Sequence, residues 1–373
     1  MKKVTMILIF SMAAGIVGAA ALMPAATRPQ IQLAILLDTS GSMDGLIGQA
    51  KSRLWKIVNE LATAKKDGQA PQLQVALYEY GQDSLSAASG YLRRIVPLSS
   101  DLDRISEELF KLQTNGGQEY CGQVIREAAS GLQWSQRQDD LKLIFIAGNE
   151  PFTQGAVDYR NACREAIRAG IIVNTIFCGN YQEGLQSGWK DGAELADGQY
   201  LAIDADRTPP PVAAPQDNEI ARLGRELNGT YIAFGREGGA GKKRQAEQDM
   251  NAASVSAEIA VQRVAAKAAP QYSNSSWDLV DAKKSGQVKL EDLSDAELPQ
   301  EMKGMSPKER SEYVAAMQLR RDELQKKIAR LNGERETFVR EKMKSGAAAG
   351  TLDEAMICAL RQQASSRHFT FAK

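Results

Sequence analysis

Apolar, strand-like runs alternate with amphipathic helical segments from residue 31 to about residue 235. IQLAILLD at 31–38 and LKLIFIA at 141–147 are almost continuously apolar, which is typical of strands that are buried on both faces of a sheet. Residues 44–64 and 156–169 carry their apolar side chains at helical spacing instead. Since strands that alternate with helices form a parallel sheet with helices on both faces, the pattern predicts an α/β fold with a doubly wound, mostly parallel sheet.

This α/β domain is expected to cover residues 30–235. YLRRIVPL at 91–98 is predicted to be an edge strand, because Pro97 cannot donate a hydrogen bond to a neighbouring strand. TYIAFG at 230–235 is predicted to be a further strand. The composition then changes at REGGAGKKRQ, and the remainder is rich in Ala, Glu, Lys, Arg and Gln. Two segments are predicted there, a linker and helix at 236–270 and an α-helical C-terminal region at 271–373.

A long helix is predicted to begin at SPKE, residues 306–309, which is a capping box with proline at the first helical position. Apolar residues then recur every seventh position, but charged residues fill most of the companion positions. A coiled-coil seam is one interpretation. Because half of the seam is missing, an amphipathic helix that folds against its own domain is the preferred one. The seven-residue series is Met317, Leu324, Leu331 and Phe338, and the charged companions are Arg321 and Arg335.

The first 26 residues have the pattern of an export signal, with Lys2 and Lys3 before an apolar stretch and then small residues. That stretch is also long enough to remain as an uncut membrane anchor. The remainder is therefore expected to be periplasmic or secreted, or anchored to the inner membrane by its N-terminus. Disulfides are permitted outside the cytoplasm, so Cys121, Cys163 and Cys178 are either candidates for pairing or buried free thiols.

Composition excludes several classes of function. The 373 residues contain 46 Lys and Arg and 46 Asp and Glu, so there is no basic surplus for binding nucleic acid. His368 is the single histidine and lies five residues from the end of the sequence. A histidine-based zinc site and a Ser/His/Asp triad are therefore disfavoured.

The first predicted strand ends in the most informative motif, DTSGSM at residues 38–43. Asp38, Ser40 and Ser42 have three interpretations. A nucleophilic serine lacks a histidine base and the Gly-x-Ser-x-Gly elbow. A plain strand-to-helix turn would also suit these residue types. As a metal site, one carboxylate and two hydroxyls supply hard oxygen ligands for Mg²⁺, Mn²⁺ or Ca²⁺.

This D-x-S-x-S motif after a buried strand resembles the metal-ion-dependent adhesion site of von Willebrand factor type A domains. The resemblance covers about Gln30 to Gly235. It implies that Asp38, Ser40 and Ser42 form the first loop of a metal site, which a threonine from a second loop and an aspartate from a third complete. It also implies a protein partner whose acidic side chain coordinates the cation.

Both later loops depart from the family pattern. In the second loop, TNGGQEYCG, Gln118 or Glu119 would take the place of the threonine. In the third, AGNEPF, Asn149 or Glu150 would take the place of the aspartate. An added carboxylate has one of two consequences. It binds the cation more tightly and weakens the attraction to a partner, or it fills the open coordination position and closes the site.

As a whole, the chain is similar to exported bacterial proteins that combine such a domain with a helical tail. The segments GGQEYCG, GNEPFTQG and SSWDLVDAKK carry this resemblance. We therefore expect a binding protein and not an enzyme, with divalent-cation-dependent protein interaction as its function. A structural protein with a closed metal site is the alternative. Metal-assisted hydrolysis ranks third, because it would need Glu119 or Glu150 as a general base.

Overall fold

The computed structural model describes residues 28–204, 212–343 and 352–371. The predicted signal or anchor at 1–26 lies outside these ranges. No helix within them is long and apolar enough to cross a membrane. The strands are β1 Gln30–Asp38, β2 Gln72–Tyr80, β3 Leu92–Ser99, β4 Leu141–Gly148, β5 Ile172–Cys178 and β6 Tyr200–Ile203. The helices are α1 Asp44–Ala62, α2 Leu102–Lys111, α3 Cys121–Gly131, α4 Tyr159–Arg168, α5 Tyr181–Gln186, α6 Trp189–Glu194, α7 Asp217–Asn228, α8 Gly238–Val255, α9 Ala257–Ala268, α10 Leu279–Lys284, α11 Pro307–Met343 and α12 Leu352–Ser366.

The six strands form one sheet in the order β3-β2-β1-β4-β5-β6. All neighbouring pairs are parallel except β2 and β3, which are antiparallel. The predicted doubly wound, mostly parallel sheet is therefore confirmed, and so is the edge position of the Pro97 strand. The chain adds strands on one side of β1 and then crosses to the other side at β4. In open α/β sheets this reversal opens a crevice at the carboxyl ends of the strands, where ligands bind.

Helices cover both faces of the sheet, because successive side chains along a strand point in opposite directions. On β1, Leu33 and Ile35 belong to one buried cluster, whereas Ala34 and Leu36 belong to another. The first cluster also contains residues of α1, α2, α7, α9 and α12, and the second contains residues of α3, α4 and α6. The C-terminal helices therefore share one hydrophobic core with the sheet.

The predicted linker after Gly235 is wrong, because residues 238–255 form α8. The glycines that suggested flexibility allow close packing instead. A Cβ placed on Gly241 would lie 2.3 Å from the Trp277 ring, so only glycine lets this turn of α8 contact the indole. Glycine at this point of the chain is a packing residue.

The strand predicted at 230–235 is also wrong. This segment makes one isolated bridge, between Ala233 and Asp278, and does not join the sheet. Its backbone pairs with the chain before α10: the Phe234 N–H donates to the Trp277 carbonyl, and the Leu279 N–H donates to the Ile232 carbonyl. Residues 230–235 thus connect the α/β domain to the C-terminal helices.

Helix α11 packs along α7 and α9, as expected for an amphipathic helix that folds against its own domain. Leu324 and Ile328 are buried in the shared core. The two charged residues that interrupt the heptad pattern are buried as well, each against an aspartate. Arg321 Nη1 lies 2.6 Å from Asp278 Oδ2, and Arg335 Nε lies 2.7 Å from Asp217 Oδ1.

Candidate metal centre

Three loops meet where β1, β2 and β4 end. The first follows β1 and carries Ser40 and Ser42, the second precedes α3, and the third follows β4. The Asn115 N–H of the second loop donates to the Thr39 carbonyl of the first, with 3.0 Å between N and O. Asn149 Nδ2 of the third loop donates to Ser42 Oγ at 3.2 Å. The structure therefore brings the three loops named from the sequence to one edge of the sheet.

Asp38 ends β1 and is fully buried. Its Oδ1 accepts a hydrogen bond from the Ser40 N–H at 2.7 Å, whereas its Oδ2 has no hydrogen-bond partner. Burial, followed by repulsion from Glu150, raises the pKa of Asp38 to about 7 despite the bonds from Ser40. Ser40 Oγ and Ser42 Oγ lie 3.4 Å apart beside it. The first loop thus presents one unsatisfied carboxylate oxygen and two hydroxyls.

In the second loop the two candidates point differently. Glu119 is 6 % exposed, whereas Gln118 is exposed. A Cβ placed on Gly81 would lie 2.7 Å from Asp38 Oδ1 and 2.9 Å from Glu119 Cγ, so the two carboxylate side chains flank this glycine. Burial, then repulsion from Asp38 and Glu150, raises the pKa of Glu119 to about 7. Glu119 therefore faces Asp38, whereas the Gln118 side chain is exposed to solvent.

The third loop carries its polar side chains after Gly148, not at it. A Cβ placed on Gly148 would lie 2.5 Å from Tyr80 Oη and 2.9 Å from Asp38 Oδ2, so this position has no room for a side chain. The next two residues carry the polar groups. Asn149 Oδ1 is buried without a partner, and Glu150 lies close enough to raise the pKa of Asp38.

Gln154 belongs to this centre, although the sequence did not single it out. Its Oε1 accepts the Glu119 N–H at 3.2 Å, and its Nε2 donates to Glu150 Oε2 at 3.2 Å. Trp189 Nε1 also donates to the Glu150 carbonyl at 2.8 Å. Gln154 thus ties the second loop to the third, and no spacing or motif marks a residue that acts only through such bridging.

The charge and donor set fit a hard divalent cation. Asp38, Glu119 and Glu150 form no ion pair with a lysine or arginine of the described ranges, although the first two are buried. Within those ranges, no three His, Cys, Asp or Glu side chains are arranged to hold an ion by themselves. A bound ion would therefore need neutral oxygens as well, and Ser40, Ser42 and the free Oδ1 of Asn149 supply them.

All four cysteines lie in the described ranges, and none forms a disulfide. Cys121, Cys163 and Cys178 are buried free thiols, so the pairing alternative is not realised in this structure. Burial raises the pKa of each, and Cys121 Sγ lies 3.9 Å from Tyr80 Oη beneath the Asp38 carboxylate. They pack in the two buried clusters on either side of the sheet.

A comparison with curated proteins finds no match. Among solved structures, the chain is similar to the conserved hypothetical protein BatB from Bacteroides thetaiotaomicron, at 15% identity and a TM-score of 0.36, over 47% of this chain and 90% of that one. It is also similar to proximal thread matrix protein 1 from the mussel byssus with a zinc-occupied MIDAS motif, at 14% identity and a TM-score of 0.37, over 48% of this chain and 43% of that one. Residues 32–187 match the family model of the von Willebrand factor type A domain. This chain therefore contains a von Willebrand factor type A domain at residues 32–187.

Proposed function

We propose that the domain binds a protein partner through a divalent cation at the carboxyl-terminal edge of its sheet. Mg²⁺ is the expected ion, with Mn²⁺ or Ca²⁺ as substitutes. The cation neutralises the buried acidic charge and offers a coordination position to an acidic side chain of the partner. The residues that would hold it are Asp38, Ser40, Ser42, Glu119, Asn149 and Glu150.

One observation carries this proposal, the buried Asp38 Oδ2 that has no hydrogen-bond partner. A buried carboxylate without a partner is costly, and its neighbours here increase that cost, because Glu119 and Glu150 are also acidic. A divalent cation removes the repulsion among the three groups at once. The two hydroxyls add ligands without adding charge. The ion attracts a partner's carboxylate only where Glu119 and Glu150 do not both ligate it, because three carboxylates already exceed its charge.

We also propose that the chain acts outside the cytoplasm and by binding, not by catalysis. The export-type sequence at 1–26 supports the location. The only histidine, His368, is far in sequence from the three loops, which supports the absence of acid-base chemistry of the imidazole type. The neutral hydroxyl ligands are better suited to recruiting an acidic partner than to activating a water molecule.

The second candidate is a closed metal site with a structural role, and the burial of Glu119 favours it. In that case Glu119 supplies the carboxylate that a partner would otherwise bring. The two candidates share the cation and differ in one coordination position, so they require separate experiments.

Cation binding is tested by titration calorimetry of the full chain with Mg²⁺, Mn²⁺ and Ca²⁺. We expect binding to the wild type and none to Asp38→Ala. Asp139→Ala is the matched control, because Asp139 is exposed just before β4, at the opposite edge of the sheet, and should leave binding unchanged. A wild type that binds none of the three ions would refute both candidates.

The open position is tested with bound Mn²⁺ and water-proton relaxation. An open site keeps an exchangeable water on the ion, and acetate or an aspartate-containing peptide should displace it. A closed site shows no such water in the wild type, and Glu119→Gln should create one. Partner capture from extracts with and without chelator then follows, and a partner set that does not respond to chelator would contradict the proposed interaction.

A further inference from the structure

Three reactive side chains from different helices meet beneath the C-terminal region. Asn228 is the last residue of α7, Asp249 lies on α8, and Lys267 lies on α9. Lys267 Nζ lies 2.7 Å from Asn228 Oδ1 and 2.5 Å from Asp249 Oδ2. Asn228 Nδ2 lies 2.8 Å from that same Asp249 oxygen. One carboxylate oxygen therefore touches both an amine and the nitrogen of a carboxamide.

We propose that Lys267 and Asn228 become joined by an intramolecular isopeptide bond, with Asp249 transferring the proton. This inference is independent of the cation site.

The amine is within reach of the carbon that it would attack. Because a C=O bond is about 1.2 Å long, Lys267 Nζ lies no more than about 4 Å from Asn228 Cγ. That is close to the separation of about 3–3.5 Å at which positioned groups react, so a small rotation of the carboxamide is sufficient. Asn228 ends α7, and Asp249 and Lys267 lie within α8 and α9, so the approach of the groups requires no loop to order.

The reaction is balanced without any co-reactant. Neutral Lys267 Nζ attacks Asn228 Cγ, and Asp249 accepts a proton from Nζ. Asp249 then donates that proton to Asn228 Nδ2, the Cγ–Nδ2 bond breaks, and ammonia leaves. The products are a Nζ–Cγ amide and one ammonia, and no group is oxidised or reduced.

The surroundings make the neutral amine easier to form. The Lys267 side chain is 1 % exposed. Burial and the charge of Arg263 outweigh the opposing carboxylates of Asp249 and Asp103, so the pKa of Lys267 is lowered to about 8. Arg263 Nε also lies 3.0 Å from Asp249 Oδ1, which orients the carboxylate and leaves Oδ2 for the other two groups.

Such a bond would fasten the end of α7 to α9 and enclose α8 between them. It would constrain the unfolded chain in the way a disulfide does, by closing a covalent loop. None of the four cysteines, all in the described part of the chain, provides such a link. Helix α11 packs against both α7 and α9, so the bond would also stabilise the surface on which α11 packs.

The test is tandem mass spectrometry of the denatured, digested full chain. We expect a branched peptide in which Lys267 is joined to Asn228, lighter than its two parts by one ammonia. Separate, unmodified peptides in the wild type would overturn the proposal. Because Gly229 follows Asn228, ammonia could also leave through a succinimide within one peptide. Ammonia loss without a branch to Lys267 would therefore overturn it too.

Variants identify the groups. Lys267→Arg should abolish the branched peptide, whereas Lys243→Arg, an exposed lysine on α8, should leave it intact. Asp249→Asn keeps both reacting side chains and removes the proton acceptor, so the branched fraction should fall at least tenfold. An unchanged fraction in Asp249→Asn would refute the role of the carboxylate.

Discussion

Two regions of this molecule hold buried carboxylates, and they differ in whether a cationic side chain compensates the charge. Beneath the C-terminal helices, Asp278 is fully buried and lies 2.6 Å from Arg321. Asp103, also buried, lies 2.5 Å from Arg263. At the carboxyl ends of the strands, Asp38 is equally buried and has no cationic side chain beside it among the described residues. The buried carboxylates are thus paired with arginines in the first region, whereas Asp38 in the second region has no cationic partner.

The difference separates a structural role from a binding role. A buried charge with a permanent partner is satisfied by folding alone, although the pair contributes little net stability once its desolvation is counted. A buried carboxylate without one is neutralised by a proton or by a partner from solution. The interface of the C-terminal helices is therefore complete in itself, whereas we propose that a bound cation completes the sheet edge.

The largest expected effect comes from breaking a paired region. Arg321→Met should lower the free energy of unfolding by about 3–5 kcal/mol, because it leaves Asp278 buried without compensation. Chemical denaturation with urea measures the change. Arg320→Met is the control, since Arg320 is exposed and lies 3.8 Å from Glu226, and a surface pair contributes about 1 kcal/mol or less.

The double variant Arg321→Met with Asp278→Asn sharpens this test. Asparagine removes the charge and keeps an oxygen that can accept the Ile232 N–H, so it should restore part of the stability if the loss arises from the unpaired carboxylate. Equal losses of unfolding free energy in Arg321→Met and Arg320→Met would show that the buried Arg321–Asp278 pair does not stabilise the packing of α11.

The second prediction concerns the sheet edge, where added Mg²⁺ would supply the cationic partner that Asp38 lacks. At a free Mg²⁺ concentration of about one hundred times the Kd, the free energy of unfolding should rise by about 2.7 kcal/mol. Asp38→Asn should lose this gain while remaining folded in chelator, because it removes a charge that has no partner there. Unfolding curves with Mg²⁺ and with chelator provide the measurement. A gain of the same size in Asp38→Asn would place the cation elsewhere.

Much of the fold could be predicted from the sequence because its elements have local causes. The buried runs that became β1 and β4, and the helical spacing that became α1, each act within a few residues. The incorrect predictions concern segments whose structure depends on contacts with residues that are distant in sequence. Gly241 belongs to a glycine-rich stretch that suggested a linker. In the structure, its lack of a side chain lets α8 pack against the Trp277 ring. Residues 230–235 have strand composition but pair with the chain before α10.

The same division holds for the candidate site. Asp38, Ser40 and Ser42 could be named because one loop holds all three in a fixed spacing. The choice between Gln118 and Glu119 depends on how the second loop packs against Gly81 and the first loop. The local sequence does not specify that packing. Gln154 was not predicted because its role consists of two hydrogen bonds, one to Glu150 and one to Glu119, which is distant in sequence.

The third prediction concerns that bridging glutamine. Gln154→Ala should weaken cation binding by about 10- to 100-fold, as is typical when a residue that orients a metal ligand is lost. The reason is that Glu119 and Glu150 would lose the side chain that connects their loops. Gln118→Ala is the control, because Gln118 is exposed, and calorimetry with Mn²⁺ measures both variants. If Gln118→Ala were the more damaging change, the assignment of Glu119 to the site would be wrong.

The smallest expected effect is a pH dependence that only the unpaired region should show. In chelator, burial holds the pKa of Asp38 at about 7 in the folded protein, whereas an aspartate in the unfolded chain has a pKa of about 3.9. The folded state then binds more protons between these values, so the contribution of Asp38 is fully present below pH 4 and is lost as the pH rises through 7. Over the pH unit below 7, the free energy of unfolding should fall by about 1 kcal/mol relative to Asp38→Asn. Saturating Mg²⁺ should abolish this difference in slope, since the cation replaces the proton. A wild type and an Asp38→Asn variant with parallel pH profiles in chelator would mean that Asp38 is compensated within the fold, and the distinction between the two regions would fail.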